Sequence, residues 1–499
     1  MNFLRNMLHP ASAESAGTAV SMPESAAAQR RERAAIDAST RIPVLVFYAS
    51  AVFWLLFGSL MGLLSSLKMH HPTTGLLADF AMLTFGRVRP AHLNAVAYGW
   101  AATAGLGTAI WLMARLCGTR LVNPILPLIA GVFWNAGVAL GIYGVLAGDS
   151  RSVEWLEFPN YASPCLFISY ALLGIWGVMM ILQRKPGHIY VSQWYIFAAL
   201  FWFPWLYGTA QIMINFVPAQ GTIQAAVNWW YGHNALGLFF TPIGLATAYY
   251  FIPKIIGRPV HSYYLSVIGF WSLAFFYSWN GMHHLIGGPV PLWMQTASVV
   301  ASCMMLIPVG VTAINHHTTM RGHFHLLKSS PSLRFVVFGA IMYTATSLQG
   351  ILEAVPWFNK LVHFTHYTVG HAHLGLYSFF TMMMFGAMYY IIPRLVEWEW
   401  PSARMISAHF WLTAVGSLLM FLTLTVGGFL QALALNDDKV TFMAIVDMVN
   451  PFLQFRSLAG LMMFAGHIIF GTLFVMMLLK FGEKQSGPTT LGNHEDSSL

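Results

Sequence analysis

Apolar residues fill most of the chain in runs of about 20 residues or more, separated by short polar clusters. A strand of a membrane barrel would alternate apolar and polar residues over about 10 positions. The runs here are continuous, which predicts helices, because a helix satisfies its own backbone hydrogen bonds inside lipid. Twelve membrane-spanning helices are expected, at roughly 43–67, 92–116, 123–147, 162–183, 191–216, 224–252, 262–288, 290–316, 332–355, 363–393, 404–431 and 455–480. The connections are short and carry turn residues such as Arg184-Lys185-Pro186-Gly187. No long polar stretch marks off a second folded unit. The expected organisation is a cytoplasmic N-terminal tail over 1–42, one helical body over 43–480 and a cytoplasmic C-terminal tail over 481–499. The first tail is rich in Ala and Ser, carries Arg30, Arg31 and Arg33, and lacks the apolar core of a signal peptide, so it reads as mobile.

Composition supports the membrane reading. Hydrophobic residues make up 57% of the 499 and charged residues only 8%, against about 25% charged in a soluble protein. A chain so poor in charge cannot cover a water-facing surface, so its surroundings are a lipid bilayer. The net charge of +8 is spread along the chain rather than clustered, which gives no surface for nucleic acid. The three cysteines, Cys117, Cys165 and Cys303, are far apart and form neither a disulfide framework nor a C-x-x-C-H haem attachment sequence.

Charge also sets an expected orientation. With both termini on one side, that side holds 18 of the 25 Lys and Arg residues and the other side 7. Both termini are therefore expected in the cytoplasm. A faint repeat runs through the spans as well. Tyr249-Tyr250-Phe251-Ile252-Pro253-Lys254 ends the sixth and Tyr389-Tyr390-Ile391-Ile392-Pro393-Arg394 the tenth, an offset of 140 residues that also maps His233 onto His373. His92 lies 141 residues before His233. Three arcs of four helices with pseudo-threefold symmetry would explain this.

Histidines are costly inside a membrane and usually have a partner or a task. In the expected topology His92, His233, His371 and His373 lie early in outside-to-inside spans, and His283 and His284 near the end of an inside-to-outside span. All six then share the outer part of the bilayer. His371 and His373 are two residues apart, about 200° around a helix, so they face opposite sides. His283 and His284 are adjacent and, with His233, would give three imidazoles around one metal. Such a set suits copper, iron or zinc and leaves an open position. Haem iron also takes axial imidazole. His92 with His373 would make a six-coordinate haem, and His371 alone a five-coordinate haem facing the three-histidine metal.

Four sequences now make a family resemblance specific. Arg87-Val88-Arg89-Pro90-Ala91-His92-Leu93-Asn94 resembles the low-spin haem helix of the C-type (cbb3-type) haem–copper oxidases. Trp229-Trp230-Tyr231-Gly232-His233-Asn234 is similar to their first copper helix, Tyr277-Ser278-Trp279-Asn280-Gly281-Met282-His283-His284 to the second, and Gly370-His371-Ala372-His373 to the paired-haem helix. The resemblance runs from about residue 43 to 480. It implies the fold of a haem–copper oxidase subunit I and the reduction of O2 to water, with proton uptake and pumping. It also implies two b-type haems, one copper ion and membrane-anchored partner subunits that carry cytochrome c, in a bacterial inner membrane. By the same resemblance His92 and His373 bind the low-spin haem, His371 the high-spin haem, and His233, His283 and His284 the copper.

Other assignments follow from the resemblance alone. Tyr277 matches the tyrosine cross-linked to the first copper histidine, which donates an electron and a proton when the O–O bond breaks. On a continuous helix it would lie six residues, about 9 Å, before His283. Arg87 and Arg89 match positions near the anionic haem propionates. Glu154 and Glu157 resemble carboxylates near a calcium ion that bridges the propionates. Ser266, Tyr249, Tyr250 and Gln349 are candidates for a proton route from the inner side. The chain departs from the family's pattern at Gln349, often glutamate, at Gly269, often histidine, and at His366, often aspartate.

Rival functions leave features unexplained. Nitric oxide reductases share the fold and the six histidines, but they typically place a carboxylate four residues after the first metal histidine, where this chain has Gly237, and they lack the tyrosine matched by Tyr277. A transporter would suit twelve helices and a repeat, yet needs no histidines at haem spacing. A simple cytochrome b would leave His233, His283 and His284 without a task.

Overall fold

The computed structural model describes residues 22–71 and 80–484. The expected tails over 1–21 and 485–499 lie outside the described residues. The described chain is helical, and the helices are α1 (Met22–His70), α2 (85–117), α3 (Ile125–Ala147), α4 (Ser163–Leu182), α5 (Val191–Phe216), α6 (Thr222–Ile256), α7 (Tyr263–Tyr277), α8 (Leu292–Met320), α9 (Pro331–Ala354), α10 (His366–Val396), α11 (Ala403–Leu435) and α12 (Phe442–Leu478). Short helical segments, including Pro356–Val362 between α9 and α10, fill some of the connections.

Ten of these helices are long and apolar enough to cross a membrane. The two expected spans outside that set are informative. The α2 helix is long, but its centre is built of Ala, Gly, Thr, Tyr and Trp rather than Leu and Ile. Those small and aromatic residues are almost all buried, so α2 meets protein on every side. The α7 helix is short. A continuous span over 262–288 is expected from the sequence, but the helix stops at Tyr277 and the chain enters a tight helical turn, Asn280–Leu285. The cause is local. Gly281 lies against the backbone of Trp229 and Trp230, where a Cβ would sit 2.9 Å from the Trp229 carbonyl carbon. The chain then turns through Gly287 at φ +84° and leaves by Pro291. The α8 helix is also interrupted, at Met305, three residues before Pro308, whose ring and missing N–H break the ladder.

Two helices reach beyond their expected ends. The α1 helix extends back to Met22, so part of the segment expected as a mobile tail is helical. There Asp37 pairs with Arg115 of α2 at 3.1 Å, and Arg41 pairs with Glu397 beyond α10 at 2.5 Å. The α12 helix begins at Phe442 rather than near 455.

Packing separates an inner from an outer set. The helices α2, α6 and α10 touch one another, and the rest surround them. The most apolar stretches of α6 and α10 are 83% and 89% buried, against 28–50% in the other eight long helices. These three central helices are the ones the repeat relates. Each carries a stretch of π-helix just after its repeat histidine: Ala95–Ala101 three residues past His92, Leu236–Phe240 three past His233 and Leu374–Thr381 one past His373; the outer helix α5 also has one, Ile212–Phe216. A π-turn inserts one residue into the ladder and is most frequent at functional sites. The repeat is thus visible in backbone geometry, at the histidines.

Candidate metal centre

Three of the histidines converge. The ligand nitrogens of His233, His283 and His284 all lie within 4.8 Å of one another, the one such trio among the described residues. His233 comes from α6, and the other two from the turn after α7. Because that turn is not α-helical, adjacent histidines can address one point. Each ring is fixed. His283 receives support from α8: its backbone N–H donates to Ser298 Oγ at 2.8 Å and its Nδ1 lies 2.8 Å from Ser302 Oγ. His284 stacks on Trp229, ring centroids 3.9 Å apart and 9° from parallel. His233 Nδ1 is buried with no protein partner. An orphaned imidazole nitrogen facing two other imidazoles is what a metal ligand looks like without its metal, and three neutral imidazoles suit a copper ion.

The hydroxyl of Ser302 orients His283 from behind, and such outer partners usually contribute about 10–100-fold in metal affinity. Were the trio to hold copper, Ser302→Ala would weaken its binding by about that factor, read by titrating copper into metal-depleted protein, with haem content unchanged.

The other three histidines have their Nδ1 atoms occupied. His92 Nδ1 lies 2.7 Å from the carbonyl of Gly58 on α1, and His373 Nδ1 lies 2.8 Å from its own Val369 carbonyl. A carbonyl only accepts, so each Nδ1 carries its proton and Nε2 is left as the ligand atom. Gly62 is required beside His92, since a Cβ there would be 2.6 Å from the ring. His371 faces α9, with Nδ1 3.5 Å from Thr346 Oγ1 and its ring against Gly350. His371 and His373 therefore point to different neighbours, as their spacing predicts.

Tyr277 does not share a helix with His283. As the last residue of α7 it reaches α6 instead, where its ring centroid is 4.8 Å from that of His233 at 38°. Gly237, one turn after His233, makes this contact possible: a Cβ built there would fall inside the Tyr277 ring. The two positions are coupled, because any side chain at 237 expels the tyrosine.

The remaining expected residues divide. Arg87 Nη1 donates to the Leu146 carbonyl at 3.1 Å, and Arg89 is exposed near the same end of α2. Glu157 is buried in the connection between α3 and α4 and accepts from Asn94 Nδ2 at 3.1 Å, while Glu154 is exposed. Burial pushes the Glu157 carboxyl up to about 7. Ser266 is fully buried, donates to the Ser262 carbonyl at 3.2 Å and accepts from Asn315 Nδ2 at 2.9 Å. Tyr249 is fully buried nearby. Tyr250 is not brought to that group: it faces Trp111 of α2, ring centroids 5.7 Å apart. Gln349 is buried with both amide atoms unpartnered, but it lies next to Gly350 and thus level with His371, not between Ser266 and Tyr277.

Several residues were missed by sequence reasoning. Arg456 of α12 has a buried Nε without a partner and stands close enough to Arg89, His92 and His373 to act on each electrostatically. Glu353, one turn beyond Gln349, is buried with Oε1 unpartnered. On α8, Thr312, Asn315, His316 and Thr319 are buried. Their spacing at i, i+3, i+4 and i+7 is a polar stripe on one helix face, a signal that was present in the sequence.

Residues 42–462 match the family model described as cytochrome c and quinol oxidase polypeptide I. The chain belongs to this family. Among its relatives, the cbb3-type cytochrome c oxidase subunit CcoN1 of Stutzerimonas stutzeri is 32% identical over 439 residues, 85% of this chain and 92% of that protein. The cytochrome c oxidase subunit 1 homolog of Azorhizobium caulinodans is 32% identical over 446 residues, 86% and 80% of the two chains. The cytochrome c oxidase subunit 1 of Rhodobacter capsulatus is 29% identical over 445 residues, 84% and 82%. In fold the chain resembles a haem–copper terminal oxidase dimer determined by cryo-EM, with a TM-score of 0.71 over 90% of this chain and 86% of that one, at 14% identity. The oxidase is accordingly a multi-pass membrane protein and the catalytic subunit of a terminal cytochrome c oxidase, from a family that carries haem and copper.

Proposed function

We propose that this oxidase reduces O2 at a copper ion held by His233, His283 and His284 and a haem held by His371, with electrons delivered through a second haem between His92 and His373. The observation that carries the reading is the buried imidazole trio with the Tyr277 ring against His233. Haems and copper, when bound, would relay the electrons and provide the metal ions at which O2 would be reduced. The protein's own contribution is placement and protons. Hydrogen bonds at Nδ1 hold His92, His283 and His373 with Nε2 free. Tyr277 gives its hydroxyl proton, together with an electron, to the reacting oxygen. Gly237 keeps the space that Tyr277 occupies, which also leaves no room for the carboxylate expected of a nitric oxide reductase. Metal analysis and reduced-minus-oxidised spectra of the purified complex test the reading. Two haems and one copper per chain with oxygen turnover support it; iron without copper, or turnover of nitric oxide alone, sinks it.

Protons are proposed to reach Tyr277 through the side chains of α6 to α9, by way of Asn315, Ser266, Tyr249 and Tyr343. The supporting observation is the hydrogen bond from Asn315 Nδ2 to Ser266 Oγ and the burial of all four groups. The bias of Lys and Arg supports cytoplasmic termini in a bacterial inner membrane. The histidine end of the bundle then faces outward, where Arg87, Arg89 and the half-buried Arg456 would meet the haem propionates. The chain has no covalent haem c sequence, so electrons would come from a partner subunit that carries cytochrome c, and both haems would be b-type.

Glu157, with Glu154 nearby, is proposed to hold calcium. Folded Glu157 keeps its proton up to about pH 7, where an unfolded carboxyl has already lost it near the ordinary 4.5. Folding therefore takes up a proton between these values, and this group's effect on stability turns unfavourable as pH rises through that window. A cation would offset the buried charge. Calcium is expected to raise the unfolding temperature more at pH 8 than at pH 6, and to have no effect on Glu157→Gln; equal shifts at both pH values would remove the assignment.

A further inference from the structure

Below Tyr277, on the side away from the histidine trio, five polar atoms are buried without a protein partner: Tyr195 Oη on α5, Tyr249 Oη on α6, Thr312 Oγ1 and His316 Nε2 on α8, and Tyr343 Oη on α9. They belong to one neighbourhood. The rings of Tyr195 and Tyr249 stack at 6.0 Å, the rings of Tyr249 and His316 meet edge-on at 4.5 Å, and a Cβ at Gly269 would be 3.3 Å from Thr312 Oγ1 and 3.7 Å from Tyr195 Oη. Native proteins leave few buried polar atoms unpaired, because each costs roughly 1–3 kcal/mol. Tyr343 stands within electrostatic reach of Tyr249, and Thr312, Asn315 and Ser266 lie beside the Tyr249 hydroxyl. Such a group of buried polar atoms makes a polar chamber whose open hydrogen bonds water would complete.

All of these groups but one are hydroxyls, which hold their protons tightly. His316 is the exception, and it is 3% exposed. It lies four residues from the end of α8, on the far side of the Met305 break from Ser302, the partner of His283. It therefore sits where the chamber nears the inner end of the bundle, next to the half-buried His317. The ring that meets it from another helix is Tyr249, which stacks in turn on Tyr195, with Thr312 and Asn315 on α8 itself.

We propose that His316 accepts each proton entering from the inner side and passes it through the chamber toward Tyr277. This rests on the proton route and the inward orientation proposed above. The Nε2 lone pair takes a proton from a hydronium ion, forming an N–H bond. That bond then breaks as the proton moves to a water or to Tyr249 Oη, and no electrons change hands. An imidazole suits the step because its unprotonated nitrogen offers a lone pair to an incoming proton and, once protonated, an N–H that hands it on. A chain of hydroxyls alone would have to wait for hydronium at the metal site.

The test uses the complete oxidase complex. His316→Gln keeps the size and the hydrogen bonds and removes the titration. Oxygen turnover is expected to fall about 10-fold or more, and to fall further with rising pH more steeply than in the unmodified enzyme, while haem and copper content and electron transfer between the haems stay unchanged. Gly269→His in the same background returns an imidazole to the chamber beside Thr312 and Tyr195, and is expected to restore turnover. A Gln variant with normal turnover and pH profile overturns the proposal, as does a loss that Gly269→His leaves uncorrected. If the Gln variant loses haem, His316→Asn is judged by the same criteria. Ser266→Ala and Asn315→Leu separate the two levels: if both turn over normally the proton route itself is elsewhere, and if they are impaired while His316→Gln is not, only the role of His316 falls.

Discussion

Tyr277→Phe is expected to lower oxygen turnover by at least ~100-fold while both haems and the copper stay bound. The substitution removes one oxygen atom and its proton and leaves the ring. The packing of that ring against His233, with centroids 4.8 Å apart, is therefore kept, and so is the van der Waals contact with Gly237. A positioned proton donor contributes about 10²–10⁴-fold, which sets the expected size. Oxygen uptake measured beside the reduced-minus-oxidised spectrum separates chemistry from assembly. Normal uptake with an intact spectrum would mean that Tyr277 only packs, and loss of copper would mean that it is structural.

Gly237→Ala is expected to do similar damage without touching a metal ligand. The new methyl group would occupy the volume of the Tyr277 ring, so either the ring leaves His233 or α6 and α7 move apart. Overpacking of this kind costs about 1–3 kcal/mol. Oxygen turnover should fall as in Tyr277→Phe, and the unfolding temperature should fall too, which it does not in Tyr277→Phe. In a Tyr277→Ala background the extra methyl group has space, so the stability cost of Gly237→Ala should largely vanish. That non-additivity measures the coupling directly. Additive costs would show that Gly237 and Tyr277 act independently.

The two predictions mark a boundary in what was legible beforehand. The six histidines, Tyr277 and Gly237 stand in motifs with fixed spacing, and that spacing reports which helix carries which ligand. The repeat offset was equally readable, and each of its three helices carries a π-stretch within three residues of its repeat histidine. Less was readable where a residue's role depends on the neighbour it meets. Tyr249 and Tyr250 are adjacent, yet one enters the chamber with His316 while the other faces Trp111. A rotation of about 100° separates them, and only the packing of α6 says which side is which. Gln349 looked like a proton-route residue until α9 proved to hold it level with His371. Arg456 stood at the very start of the expected twelfth span, and the earlier start of α12 carries it well inside a helix, beside His92 and His373.

By itself the sequence determined that the chain is helical and embedded in lipid, that three central helices repeat, and which histidines are candidates for a haem–copper centre. Those properties follow from composition and from spacing along one helix, which are local. The tertiary structure alone decided how the ligands meet. A continuous α7 would have carried Tyr277 and His283 on one rod. The close approach of Gly281 to the backbone of α6 ends that helix at Tyr277, turns His283 and His284 toward His233, and lets Tyr277 reach the same histidine. Contacts between helices distant in sequence set that geometry, and no periodicity along a single helix records them.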